Sequence, residues 1–419
     1  MAQRPLWFVS RQAISHLIFF SSALLPYNPF ITMSAATKFG LLAVMMFGGA
    51  LLGGWGDILR QRRPRPEIVI FVLLYGIALV RIHYISPSSF EESFTSFVIM
   101  GALSMLCFLA SCIRVINFDP RLMRWSLLAT TMAYTFWIIR NFEDLSDNLQ
   151  RETYLLGNLK YDSYQTTATI LGLCALSALG TINIKKPVYW ANLPAAAVYL
   201  TCGYFIFQGL GRGEAVAFIV ATTLYLAPRI ALVVAPFSYV LLNALAFGVD
   251  TPLTERLRIM YEGDLGARDV LYGMSLTQLG QEPSLLIGGG GLNAFQDYWG
   301  LSTGEYPHNI LLDALISGGL PLALVMILIY IAPPIRATFV GVRRRLSADE
   351  RFSIAIMAFL VLIQLKSGSM LAAWDLFGFT CLFLAARSIT VSKTSQSRAL
   401  VPVRGTATLA SVLRHRPSR

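Results

Sequence analysis

Charge is scarce in this chain. Only 14% of its residues are Asp, Glu, Lys or Arg, against about a quarter in an ordinary soluble domain, which is too few to solvate the surface of a 419-residue globule. The acids are shortest, 23 against 34 Lys and Arg. Cysteine is also sparse and odd in number: Cys107, Cys112, Cys174, Cys202 and Cys381 lie in apolar segments without a C-x-x-C pair. That excludes a disulfide framework and a thiolate metal cluster, and leaves packing thiols. A phosphate-binding G-x-x-x-x-G-K-[ST] loop is missing, so nucleotide binding has no support. Near the N-terminus the apolar stretch runs into "LLPYNPF" without a small-residue cleavage site. It is expected to be a retained span rather than a signal peptide.

What is present is apolar length. Hydrophobic residues make up 55% of the chain and recur in stretches near the ~20 residues that an α-helix needs to cross a bilayer, whereas barrel strands would alternate over about ten. The expected fold is all-α, a polytopic membrane helical bundle of about twelve transmembrane helices with a loop subdomain on its outer face. The expected spans are Ala13–Ile31, Phe39–Leu59, Ile68–Ile85, Phe94–Ile116, Met123–Ile139, Tyr164–Ile182, Val188–Phe207, Glu214–Ala227, Ile230–Gly248, Asn309–Ala332, Phe352–Ser369 and Leu371–Ser388. This divides the chain into an N-terminal bundle of about nine spans (1–248), a loop with an amphipathic helix (249–308), three C-terminal spans (309–390) and a basic tail (391–419).

Arginine and lysine orient the bundle. Alternate connections hold Arg60, Arg62, Arg63 and Arg65, then Arg114, Arg121 and Arg124, then Lys185 and Lys186, then Arg336, Arg343, Arg344, Arg345 and Arg351. With the tail they contain the greater part of the basic residues, which puts both termini on the cytoplasmic side. The formal net charge of +11 therefore reads as a topology signal and as attraction to the lipid bilayer. Nucleic acid is not an expected partner, because these cations flank apolar segments rather than interleaving with aromatic residues.

Two sizeable loops then face outward, Arg140–Ser163 and Val249–His308, and a loop as long as the second tends to be functional. Its segment "GARDVLYGMSLTQLGQ" spaces Val270, Leu271, Met274 and Leu279 as one apolar face of a helix lying on the membrane surface. The following "LLIGGGGLNAFQDYWG" has four consecutive glycines, which from these residues alone read as a flexible turn. Next comes "EYPHNILLDALISGGLPL". Pro307 fixes its own φ and biases Tyr306 toward extended backbone, and Asn309 is a natural helix N-cap. His308 is thus held at the outer entry to a span, where it serves either as a base or as an interfacial hydrogen-bonding residue.

Arg212, between glycines in "FQGLGRGEAVAF", and Arg268, at the head of the amphipathic segment, lie on the same face. A guanidinium grips a phosphate oxygen bidentately; the alternatives are a snorkelling interfacial arginine for Arg212 and a solvated charge for Arg268. Arg81 and His83 in "LVRIHYI" stand near the outer end of the third span, as accessory residues of the same cleft or as interfacial anchors. Lys366, Trp374 and Asp375 belong to the last outer turn and carry no individual assignment.

"GRG" at the head of a span, an outer loop with an Arg-led helix, "GGGGLNAF" and then "HNILLDALISGG" together resemble the O-antigen ligase and O-antigen polymerase superfamily over Gln208–Leu322. The resemblance implies a GT-C-like, metal-independent, cofactor-free inverting glycosyltransferase in the bacterial inner membrane. Its donor is a glycan on undecaprenyl diphosphate at the periplasmic face, and its acceptor is a second lipid-linked glycan or the lipid A core. His308 would match the histidine that activates the acceptor hydroxyl, and Arg212 and Arg268 the arginines that hold the leaving diphosphate, with Tyr306 and Asn309 accessory. Two departures stand out: Gly211 precedes the first arginine where the family often has Ser, and Ser317 stands where it often has an acid late in the histidine helix. Polymerase is placed ahead of ligase. The main alternative is a secondary transporter or a flippase of lipid-linked glycan, which would place charged sites near the midplane and repeat its halves. No internal repeat is visible.

Overall fold

The structure is a computed structural model that describes residues 120–141, 164–182, 190–208, 212–231, 267–291, 294–301, 306–343 and 346–367, with isolated positions at 13–24 and 237. Among these residues all twelve elements are helical and none is a strand. They are α1 (Pro120–Arg140), α2 (Tyr164–Thr181), a 3₁₀ turn (Trp190–Asn192), α3 (Leu193–Gln208), α4 (Arg212–Leu226), α5 (Ala267–Gln281), α6 (Ser284–Gly288), α7 (Ala294–Trp299), α8 (Ile310–Met326), a π turn (Ile327–Ile331), α9 (Ala332–Arg343) and α10 (Ala348–Ser367). The expected spans at 39–59, 68–85, 94–116 and 371–388 and the basic tail lie outside the described residues.

Five expected spans coincide with helices within a few residues: α1, α2, α3, α4 and α10. No helix among the described residues is long and apolar enough to cross a membrane. Composition explains this helix by helix. α2 has 18 residues but opens on Tyr164, Gln165 and two threonines; α3 and α4 have 16 and 15 residues. α1 and α10 are longer, and each carries several charges at its ends.

The core is a packed set in which α10 lies along α4 and α2, while α2 also packs on α1 and α3. Two glycines set its spacing. The ring of Phe359 fills the space beside Gly172, and Phe352 Cδ2 lies 2.6 Å from where a Cβ on Gly180 would stand. A one-methyl enlargement at either site would push a fully buried ring in an interior that has no slack.

The ends of these helices are tied by charge. Arg124 donates to the Gly180 carbonyl near the C-terminus of α2 (3.0 Å) and pairs with Asp349 (2.9 Å). Arg351 donates to the Tyr225 carbonyl at the end of α4 (3.0 Å), with its guanidinium 5.4 Å from the Tyr225 ring. Both arginines thus satisfy carbonyls that a helix C-terminus leaves open. α10 itself starts with a capping box: the Glu350 N–H donates to Ser347 Oγ (3.2 Å), and the Ser347 N–H donates back to Glu350 Oε2 (2.9 Å).

Polar and apolar residues sort in an unusual way. Ser126, Thr130 and Thr131 of α1 are buried, with both threonines donating to carbonyls one turn back (2.9 and 2.8 Å), while Trp125 and Phe136 point outward at 60% and 69% exposure. α3 shows Leu193, Leu200 and Tyr204 outward, and the α8–α9 ridge shows Leu320, Leu324, Leu328, Ile335 and Phe339.

α8 breaks within the stretch expected to be one uninterrupted span. Gly319 adopts φ 70°, ψ −171°, and Pro321 follows inside the helix. Pro321 has no N–H for the Ser317 carbonyl, and the kink removes Leu320 from Ile316, so two carbonyls are set free. The glycine run takes both: the N–H of Gly290 donates to Ile316 O (2.8 Å) and that of Gly291 to Ser317 O (3.1 Å). The four glycines are therefore a backbone splint for a broken helix, which corrects the expectation of a flexible turn. Gly289 has to be glycine because there the two backbones touch. Gly289 has φ 69°, ψ 166°, a region that only glycine populates freely, and a Cβ there would lie 2.5 Å from Gly318 Cα.

Gly289→Ala is expected to cost roughly 2–4 kcal/mol from strain and overlap combined. The thermal midpoint of the purified protein should fall by several degrees, and an unchanged midpoint would mean that the glycine run does not brace α8.

α9 lies beyond the expected spans. Pro333 and Pro334 stand at its start, directly after the π turn, in a helical path that is continuous from α8. The preceding π turn, one residue wider than an α turn, carries the chain through them.

Candidate functional site

The site is built where α4 begins, α10 ends and α8 is entered. Arg212 is the first residue of α4, and Glu214 lies in its first turn. Glu214 is fully buried and forms an ion pair with Lys366 in the last turn of α10, whose side chain is 21% exposed. An acid at a helix N-terminus and a cation at a helix C-terminus both oppose the local dipole. Because α4 and α10 pack antiparallel, one pair serves both ends. Gly213 makes the geometry possible: a Cβ there would overlap the Lys366 stem, with Cε only 2.8 Å away. The second carboxylate oxygen of Glu214 has no hydrogen-bond partner among the described residues.

One hydroxyl links this pair to His308. Tyr272 Oη in α5 lies 2.9 Å from the Lys366 carbonyl and 3.3 Å from the His308 carbonyl. A phenol has a single O–H to donate, so it is shared or alternates between two carbonyls that are remote in sequence.

His308 is half-buried, with φ at 51°, the left-handed region that costs a non-glycine residue roughly 1–3 kcal/mol. The cause is local. The chain must leave Pro307, which is buried, and turn at once into α8, whose first N–H groups at Leu311 and Leu312 are capped by Asn309 Oδ1 (2.9 and 3.2 Å). The turn stacks the His308 ring against Tyr306 with centroids 4.1 Å apart and planes tilted by 36°.

The sequence-derived residues thus fall as follows. Arg212 heads α4, Arg268 is the second residue of α5 and stands one turn before Tyr272, and His308 immediately precedes the cap of α8. Tyr306 and Asn309 lie at the site, as stacking partner and N-cap. Arg81 and His83 lie outside the described residues.

On α5 the residues that pack on the protein are polar. Ser275 and Gln278 are buried on it, with Gln278 Nε2 donating to the Ala294 carbonyl (3.0 Å), while Val270 is 62% exposed. The apolar spacing of Val270, Leu271, Met274 and Leu279 identified the helix; the face it turns toward α7 and α8 carries Ser275 and Gln278, which an apolar count does not register.

Glu214, Lys366 and Tyr272 are the residues that sequence reasoning missed. A usable signal existed for the first two: each is an isolated ionisable residue in or beside an apolar helix, where such a charge needs a partner. Tyr272 carries no comparable signal, since its role depends on two carbonyls placed by the fold.

No model of a known protein family matches the chain, and no curated protein sequence matches it.

Proposed function

We propose that this chain is an integral membrane glycosyltransferase of the O-antigen ligase and polymerase type. It transfers a glycan from undecaprenyl diphosphate, with a second lipid-linked glycan placed ahead of the lipid A core as acceptor. The observation that carries this reading is the meeting of three segments, the start of α4 with Arg212, α5 with Arg268 and the entry to α8 with His308, around the Tyr272 hydroxyl and the Lys366 backbone. These are three of the four segments on which the family resemblance rests, the glycine run being the fourth.

A membrane setting is supported by the sorting of side chains. Large apolar residues on α1, α3 and the α8–α9 ridge face outward while hydroxyls face inward, and exposed apolar patches of that extent mark a lipid or protein contact. The break in α8 suits the same setting, because irregular backbone inside a bilayer is tolerated where protein re-satisfies its polar groups.

The chemistry follows from the parts. Departure of a diphosphate from an anomeric carbon develops charge on its oxygens, which Arg212 and Arg268 would hold. His308 as a neutral base would accept the proton of the attacking sugar hydroxyl. Attack opposite the leaving group inverts the anomeric centre. Gly211 and Ser317 depart from the family pattern outside this trio.

The test is reconstitution of the full chain in lipid vesicles with a polyprenyl-diphosphate oligosaccharide. Glycans longer than the substrate, with release of polyprenyl diphosphate, support a polymerase; transfer only to added lipid A core supports a ligase. Movement of labelled lipid across the bilayer without any longer glycan would replace the enzyme reading with a flippase.

A further inference from the structure

We propose that Tyr272 is a positioning residue for His308, with its hydroxyl as the pin that fixes the histidine backbone to the end of α10. The inference deepens the glycosyl-transfer reading and rests on it for the reaction, but its structural content stands on three observations.

First, the Tyr272 hydroxyl lies within hydrogen-bonding distance of two carbonyls, Lys366 O at 2.9 Å and His308 O at 3.3 Å. A single side chain of α5 thereby reaches both the end of α10 and the entry to α8. Second, the backbone it reaches is the strained one. His308 is the sole non-glycine residue with positive φ among the described residues, and a left-handed turn at a β-substituted residue persists only when its surroundings over-determine it. Asn309 fixes the chain after His308 through two capping bonds, and Tyr306 stacks on the ring from before it. Tyr272 adds a hold on the His308 carbonyl itself. Third, the far side of the pin is anchored. Lys366 belongs to the last turn of α10, and its ammonium is clamped to the fully buried Glu214 in the first turn of α4, over Gly213. The pin therefore relates His308 to the helix start that carries Arg212.

The proton acceptor and the leaving-group cations of a glycosyl transfer must be held in fixed relation, and a misplacement of about 1 Å costs on the order of 100-fold in rate. The Tyr272 hydroxyl meets the carbonyl of His308, so it acts through that residue's backbone.

The experiment uses the full chain in vesicles, with Tyr272→Phe, His308→Ala and the double variant. Tyr272→Phe should lower kcat about 10- to 100-fold while the donor KM stays within about twofold. In the His308→Ala background it should have no further effect on kcat, because a group that acts through another loses its effect when that other is gone. A lowered thermal midpoint with kcat per folded molecule unchanged, or a full additional loss in the double variant, overturns the proposal.

A second readout requires no turnover. In protein labelled at histidine, the His308 ring resonance, assigned by its loss in His308→Ala, should shift or broaden in Tyr272→Phe. An unchanged His308 resonance overturns the pin even if the chain proves not to be a glycosyltransferase. A changed resonance in a protein that makes no glycan upholds the pin and rejects the reaction.

Discussion

On the glycosyl-transfer reading proposed above, replacing His308 with alanine should lower glycan elongation by about 10²- to 10⁴-fold, the usual contribution of a positioned general base, with the variant present at the wild-type level. The expectation combines two properties of the residue. Among the described residues it is the one imidazole at the junction of α4, α5 and α8, and its backbone sits at φ 51°. A purely structural histidine would gain nothing from that geometry, since an asparagine or glycine adopts it at lower cost. The companion variant His308→Gly separates the two readings. It relieves the left-handed strain, so stability should rise or hold within about 1 kcal/mol, while activity falls as far as in His308→Ala. Stability gained at the expense of activity is the signature of strain kept for function. If His308→Gly or His308→Ala elongates glycan at the wild-type rate, the residue is an interfacial histidine and the proton-acceptor role is lost with it.

Much of the helical layout was legible before the structure. Apolar length identified α2 to within one residue at its C-terminal end and α4 to within two at its start. Asn309 was readable as a cap because capping chemistry is local: an amide side chain needs only the next two or three N–H groups. The failures share a non-local cause. Breakage of α8 is hinted at by Gly319 and Pro321, but what makes the break tolerable is the glycine run some 30 residues earlier, which supplies the missing donors. Neither half of that arrangement is interpretable alone. The glycines look flexible and the proline looks like an ordinary kink. α9 was missed because its arginines, Arg336 and Arg343, were assigned to a basic connection after a span ending at Ala332, although the helical backbone runs on through them. At the site, position in the chain and residue type singled out His308, Arg212 and Arg268, whereas Tyr272 is defined by the carbonyls it reaches.

The helix break and the site are also one construction. Gly319 and Pro321 bend α8 about two turns after Asp313, which is buried at 7% exposure with Ser317 Oγ 3.4 Å from its carboxylate. The bend lets α6 and the glycines pack against α8, and α5 precedes α6 by only two residues. Fixing the glycine run to α8 therefore limits where α5, and with it Tyr272 and the Arg268 turn, can lie. Damage to the splint at Gly289 should reach the site through this short connection.

Lys366→Met should be among the most destabilising single changes in the chain. Glu214 is fully buried and its described partner is the Lys366 ammonium. Removing one member of a buried ion pair leaves an uncompensated charge and typically costs about 3–5 kcal/mol. The partial exposure of the lysine moderates its own desolvation but not that of the carboxylate beneath it. The double variant Glu214→Gln/Lys366→Met buries neutral groups of similar shape, and such replacements are often neutral or better; its thermal midpoint should return most of the way to wild type. Gly213→Ala provides an independent route to the same defect, because its Cβ would occupy the space of the Lys366 stem. Thermal unfolding in detergent decides among these. If Lys366→Met unfolds at the wild-type temperature, the pair is not what joins α4 to α10. If the single variant is unstable and the double variant is restored in stability yet elongates glycan slowly, the ion pair contributes to the reaction beyond holding the two helix ends together, and its charge belongs with Arg212 in the account of how the diphosphate is held.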